Sequence, residues 1–295
     1  MKRVDPLPPR RVLLTAAVVL LVMLVLGSFA DYPISLVLYH GGNLPGQVLA
    51  GCGEYPAALG LAAAGAMLLS ARNREKRLVG ILQVIAGCWF ILSGGAMAAV
   101  LPTGYLDIHV WMAALIGVGF TGLTVWGVLP LCRDADRGTV LRVAAAFLLV
   151  IFADILVVNI VKIPWGRARM RLVASDARAY FMPWWRPGTE LRDTLTAVGV
   201  PKEEFKSFLS GHSANSSALM LLALLPVLRP ELARRQTVLF CVGFGWALVV
   251  AVSRIVMGAH YLSDTAVGLT VGLAALVVVC RLLFSARRTA GTPAR

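Results

Sequence analysis

The sequence predicts an all-α, polytopic membrane helix bundle of about eight transmembrane helices, and three observations carry that expectation. Of its 295 residues, 58% are hydrophobic and only 15% are charged, far from the balance of an average soluble domain. Apolar runs long enough to cross a hydrocarbon core of about 30 Å recur along the chain. Basic residues fall in alternate connections, as they do when a chain weaves through a bilayer with its Lys- and Arg-rich loops on the cytoplasmic side.

The runs lie at 12–30, 55–71, 79–101, 108–132, 140–162, 212–228, 236–256 and 263–284. The second and sixth are about 17 residues, the lower end of what spans, so a count of six or seven is the alternative. With the N-terminus inside, the cytoplasmic segments hold Lys2, Arg3, Arg10 and Arg11, then Arg72, Arg74, Lys76 and Arg77, then Arg133, Arg137 and Arg142. Arg229, Arg234 and Arg235 follow, and finally Arg281, Arg287, Arg288 and Arg295. That is 18 of the 28 basic residues, against five acids on the same side. The net charge of +13 is therefore topological, and no basic, aromatic-interleaved soluble domain supports a nucleic-acid partner. The N- and C-termini are both expected in the cytoplasm of a multi-pass cell-membrane protein.

Arg10 and Arg11 followed by an apolar stretch and "GSFAD" resemble a signal-peptide cleavage site, but the apolar length favours an uncut first helix. Cys88, Cys132, Cys241 and Cys280 fall in or at the ends of helices, leaving Cys52 facing outside, with no disulfide framework or zinc spacing. Two longer external segments interrupt the weave. Residues 31–54 mix Pro, Gly and apolar residues and read as an interfacial or partly buried excursion. Residues 162–211 carry nine basic residues, the aromatic cluster "YFMPWW" at 180–185, and Pro164, Pro183, Pro187 and Pro201, which argue against one long helix. A loop of that length is usually functional.

Three polar clusters converge on the external face. "KIPWGRAR" places Lys162 and Arg169 at the outer end of the fifth helix. "SFLSGHS" places Ser210, Gly211 and His212 at the outer start of the sixth. "SRIVMGAHYLSD" places Ser253, Arg254, His260 and Asp264 around the turn between the seventh and eighth. Cations hold the non-bridging oxygens of a phosphate, and the free N–H groups of a helix N-terminus are an anion site. One histidine can attack phosphorus while the other protonates the leaving oxygen. Asp264, four residues after His260, falls on the same side of a helical turn and can fix the imidazole tautomer and stabilise its charge. The carboxylates are too few for a hard-cation cage, so no metal or other cofactor is expected.

In these residues the chain resembles the type-2 phosphatidic acid phosphatase superfamily, which also contains vanadium haloperoxidases. The family pattern is K-x6-R-P, then P-S-G-H, then S-R-x5-H-x3-D. The third element is present in full. Leu209 and Met170 stand where the first two usually have proline, which bears on loop geometry and not on the reacting groups. The resemblance implies a region of two extra transmembrane helices and an external segment at 1–78, a six-helix phosphatase core at 79–284, and a cytoplasmic tail at 285–295. It implies a nucleophilic His260 that becomes a phosphohistidine, His212 as general acid and Asp264 orienting His260. Lys162, Arg169, Ser210, Gly211 and Arg254 would bind phosphate.

The activity this implies is hydrolysis of a phosphomonoester or pyrophosphate of a membrane lipid at the extracytoplasmic leaflet, without a metal. Phosphatidic acid, phosphatidylglycerophosphate, a polyprenyl pyrophosphate and a phosphorylated glycolipid are the candidate substrates. The alternatives are a lipid-to-lipid phosphotransferase using the same site, and a transporter or lipid-binding protein with a degenerate one. Trp165, Trp184 and Trp185 read as interface-belt residues ahead of substrate contacts, and Arg167, Arg171 and Lys206 as solvated or headgroup-facing charges ahead of a wider phosphate site. Asp154, two turns before Lys162, reads either as a helix-packing hydrogen bond or as support behind the site. His40 and His109 read as having no part in the chemistry.

Overall fold

A computed structural model describes residues 4–285 of the chain. Lys2, Arg3, Arg287, Arg288, Arg295 and the tail beyond Ser285 lie outside the described residues. Twelve α-helices are described: α1 (Arg10–Leu38), α2 (Leu44–Cys52), α3 (Tyr55–Ser70), α4 (Arg77–Val100), α5 (Val110–Cys132), α6 (Arg137–Trp165), α7 (Met170–Ser175), α8 (Thr189–Ala197), α9 (Gly211–Ser217), α10 (Leu225–Leu228), α11 (Gln236–Val256) and α12 (Leu262–Ser285). Eight stretches are long and apolar enough to cross a membrane, and they match the eight expected runs. The architecture is an all-helical, polytopic bundle, with no strand among the described residues.

Two stretches differ from the sequence reading. Residues 31–54 are partly buried but mostly helical, not an irregular excursion. Helix α1 runs unbroken through "GSFAD" and past Pro33 to Leu38, and α2 begins six residues later. Asn43 caps α2 by accepting from Gly46 N at 2.8 Å, and Pro45 in its first turn lacks the N–H that a helix start leaves unused. The second crossing is therefore the 27-residue stretch Leu44–Ser70, interrupted at Gly53 and Glu54 before α3 restarts on Pro56. Non-helical backbone at such a depth is tolerated where protein, not lipid, surrounds it.

Helix α3 sits at the centre because its Ala- and Gly-rich face lets neighbours approach at backbone distance. A methyl group on Gly94 of α4 would fall 2.4 Å from the Ala58 carbonyl oxygen, the close contact that small residues permit between membrane helices. The outward faces of α1, α4 and α5 carry exposed Leu, Val, Ile and Trp, as a bundle solvated by lipid requires.

Residues 166–210 are folded, not structureless. Ala168, Leu172, Met182, Leu191, Leu195 and Phe205 form a small core beneath α7 and α8. Arg171 pairs with Glu204, and its backbone N–H donates to the Gly258 carbonyl, tying this cap to the α11–α12 turn.

Candidate active site

The cap begins where α6 ends on Gly166, whose φ of 72° is the left-handed conformation that suits a glycine at a helix C-terminus. The reversal turns Arg167 and Arg169 back toward the bundle, while Lys162 remains in the last turn of α6. At α9, the Ser210 hydroxyl caps the helix by accepting from Ser213 N at 3.3 Å. A Cβ added at Gly211 would sit 3.6 Å from Lys162 Nζ, so the first and second clusters meet there. The third cluster joins through the backbone, because Ser210 N donates to the Asp264 carbonyl at 3.1 Å. Gly258, with φ 62°, lies in the turn between α11 and α12, two residues before His260.

His260 is 1% exposed, and its Nδ1 lies 2.6 Å from the Ser207 carbonyl oxygen. A carbonyl only accepts, so Nδ1 carries the proton and Nε2 keeps its lone pair. Burial, and then the positive charges of Lys162, Arg169 and Arg254, hold the His260 imidazole well below its ordinary pKa and therefore neutral. Arg254 is 1% exposed, and its Nε and Nη1 have no hydrogen-bond partner among the described residues. Buried guanidinium donors of that kind are suited to an anion. The Arg254 guanidinium also stands 5.2 Å from the Tyr105 ring centroid.

Asp264 does not make the hydrogen bond to His260 that its spacing suggests. Its Oδ2 is 3.9 Å from Nδ1. The carboxylate instead accepts from Arg167 Nη1 at 2.5 Å, from the Ser207 hydroxyl at 2.5 Å and from Tyr261 N at 2.9 Å. Two of these donors occupy Oδ2, and the imidazole turns to the carbonyl of the residue whose hydroxyl Asp264 holds.

Arg167 is not a solvated or headgroup-facing charge. It is 0% exposed, bonded to Asp264, to Asp31 of α1 at 2.9 Å, to the Ser263 hydroxyl and to the Met182 carbonyl, with Tyr261 stacked 4.2 Å from its guanidinium carbon. Asp31 in turn accepts from Ser263 N at 2.9 Å. The signal for this network was one acid and one base in otherwise unlikely places: Asp31 in an apolar helix and Arg167 beside the reversal after α6. Arg171 and Lys206 are charge-paired to Glu204 and Glu203.

His212 opens α9, with Nε2 3.1 Å from the Tyr105 hydroxyl and Nδ1 3.2 Å from Glu54 Oε1. Neither Tyr105 nor Glu54 stood out in the sequence. Trp165 and Trp184, both partly buried, pack on Phe208, and each Nε1 has a partner; Trp185 is exposed. Leu209 and Met170 are buried core residues where prolines were usual. Neither oxygen of Asp154 has a hydrogen-bond partner among the described residues, so the helix-packing bond is not formed. His109 caps α5, and His40 is exposed, its backbone N–H donating to the Val256 carbonyl at 2.9 Å. Among the described residues, no three His, Cys, Asp or Glu side chains cluster as metal ligands.

Residues 143–288 match the family model of the PAP2 superfamily. No curated protein and no solved structure matches the chain.

Proposed function

Residues 143–288 belong to the PAP2 superfamily, and from that premise we propose that this multi-pass membrane protein is a metal-independent lipid phosphatase working through a phosphohistidine at the extracytoplasmic leaflet. Membership carries phosphatase chemistry on a phosphate-bearing substrate. The observation that bears most on the finer reading is His260, whose Nδ1–H is committed to the Ser207 carbonyl while Lys162, Arg169 and Arg254 surround it.

In this reading the three cations, with Ser210 and the N–H groups at the start of α9, hold the phosphoryl oxygens. The Nε2 lone pair of His260 forms the N–P bond as the bond from phosphorus to the leaving oxygen breaks. The departing electron pair takes a proton from His212 Nε2. Neutral His212 then accepts a proton from water, whose oxygen attacks phosphorus and breaks the N–P bond. Phosphate leaves and both imidazoles are restored. Asp264, at 3.9 Å, stabilises the positive charge on the phosphorylated ring without holding its proton.

A cavity of about 670 Å³ supports a lipid substrate. Its lining includes Tyr55 and Cys52, which flank the break at Glu54, Leu106 beside Tyr105, and then Phe120, Val128 and Met67. From Tyr55 to Met67 along α3 it extends roughly 18 Å at 1.5 Å per residue. That is more than the half of a roughly 30 Å core that one leaflet's chains occupy. An apolar chain seated there would bring its phosphate to the cluster.

The test is phosphate release by purified protein from a panel of lipid mono- and pyrophosphates, with water-soluble phosphate esters alongside. Faster turnover of the lipids supports the reading. Turnover of soluble esters alone would sink the lipid part of it, and transfer of label to a second lipid would favour the phosphotransferase.

A further inference from the structure

The general acid has a carboxylate beside it that lies outside the matched segment. Glu54 sits in the two-residue break between α2 and α3, with its side chain 12% exposed and Oε1 3.2 Å from His212 Nδ1. Asn215, one turn further along α9 than His212, donates to the same oxygen at 3.2 Å. The opposite edge of the imidazole meets the Tyr105 hydroxyl. An ionised carboxylate only accepts, so a proton on Nδ1 faces Glu54, and Nε2, at the Tyr105 hydroxyl, is the nitrogen left to serve the reaction. The carbonyl of Ala50 is a second acceptor near the same ring.

Resting on the phosphatase reading above, we propose that Glu54 is the positioning carboxylate of the acid half of the reaction. It holds the Nδ1–H of His212, so that Nε2 points at the leaving oxygen and carries the proton that oxygen takes. The two histidines then differ in how they are supported. His260 is fixed by a backbone carbonyl in the matched segment, whereas His212 is fixed by a side chain of the N-terminal region. The helix break places this acid within the second crossing, beside His212.

Leaving-group dependence separates this role from a merely structural one. An alkoxide leaving from a lipid phosphate needs a proton, whereas p-nitrophenolate leaves without one. In purified protein, Glu54→Gln should lower kcat for a lipid monophosphate about 10–100-fold, part of the roughly 10²–10⁴ that a positioned acid supplies. The same variant should release the first equivalent of p-nitrophenolate, the burst that accompanies phosphorylation of His260, close to the wild-type rate and retain vanadate binding. Asn215→Ala, which only loosens Glu54, should show a weaker loss with the same selectivity. Equal loss on both substrates in both variants would assign Glu54 to folding and overturn the proposal, as would full lipid turnover by Glu54→Gln. Wild-type protein inactive on every phosphate ester would instead overturn the phosphatase reading itself.

Discussion

Arg167 Nη1 lies 2.5 Å from Asp264 Oδ1 with both side chains wholly shielded from solvent. The same guanidinium holds Asp31 from the first helix. One planar fork thus ties α1, the cap and the start of α12 together, a geometry that an ammonium group does not reproduce. Asp264 acts on His260 through this assembly: it holds the Ser207 hydroxyl, and the Ser207 carbonyl holds the imidazole.

Arg167→Met should therefore destabilise strongly, because it leaves two buried carboxylates without their cation. Removing one partner of a buried pair costs about 3–5 kcal/mol, and Arg167→Lys should recover little of it. Thermal unfolding in detergent measures the loss. An unchanged midpoint in Arg167→Met would mean the network contributes nothing to the fold.

His260→Ala and His212→Ala should each abolish lipid turnover while the protein still inserts and folds. Only His212→Ala should accumulate labelled phosphoenzyme, and only from a substrate such as p-nitrophenyl phosphate whose leaving group departs unprotonated. Label on His212 in the His260→Ala variant would reverse the two roles.

In the proposed mechanism the neutral ring is the nucleophile, so depression of its pKa by burial and by Lys162, Arg169 and Arg254 should extend activity toward acid. The acid limb of the rate should lie below the ordinary histidine value of about 6.5. Lys162→Met removes one of the charges that favour the neutral form, so its acid limb should move up in pH. Comparing the two proteins on one substrate cancels the ionisation of the phosphate. A limb that stays in place or moves down would show that Lys162 does not bear on His260.

Activity should survive EDTA and be inhibited by vanadate, which takes up the five-coordinate geometry of the phosphorus in transit. Loss of turnover in EDTA that Mg²⁺ restores would remove the metal-free mechanism.

The site is expected to face the periplasm or cell exterior, since the Lys- and Arg-rich loops lie at the other ends of the helices. Moving Lys162, Arg169 or Arg254 to mid-membrane would cost roughly 2.5–3.5 kcal/mol each. Single cysteines at the exposed positions Ala177, in the cap, and Ala233, before α11, test this in a variant lacking the native cysteines. An impermeant thiol reagent on intact spheroplasts should label the first and spare the second. The opposite pattern would place the site in the cytoplasm.

The sequence by itself determined the number and order of the crossings and the residues of the three clusters. Both are local properties: an apolar run must be long enough for the bilayer, and Lys162, Arg169, Ser210, Gly211, His212, Arg254, His260 and Asp264 announce themselves by residue type at set intervals. Even the apolar replacements Met170 and Leu209 left that pattern readable. The structure alone decided which partner each group takes. Asp31 meets Arg167 across 136 residues and Tyr105 meets His212 across 107, separations over which no periodicity carries information. His260 is held by a backbone carbonyl, an acceptor that every residue possesses and none advertises. Asp264 looked free to bind it because spacing counts neighbours along one helix, whereas a carboxylate deep in protein is claimed by the donors that packing brings to it, here Arg167, Ser207 and Tyr261.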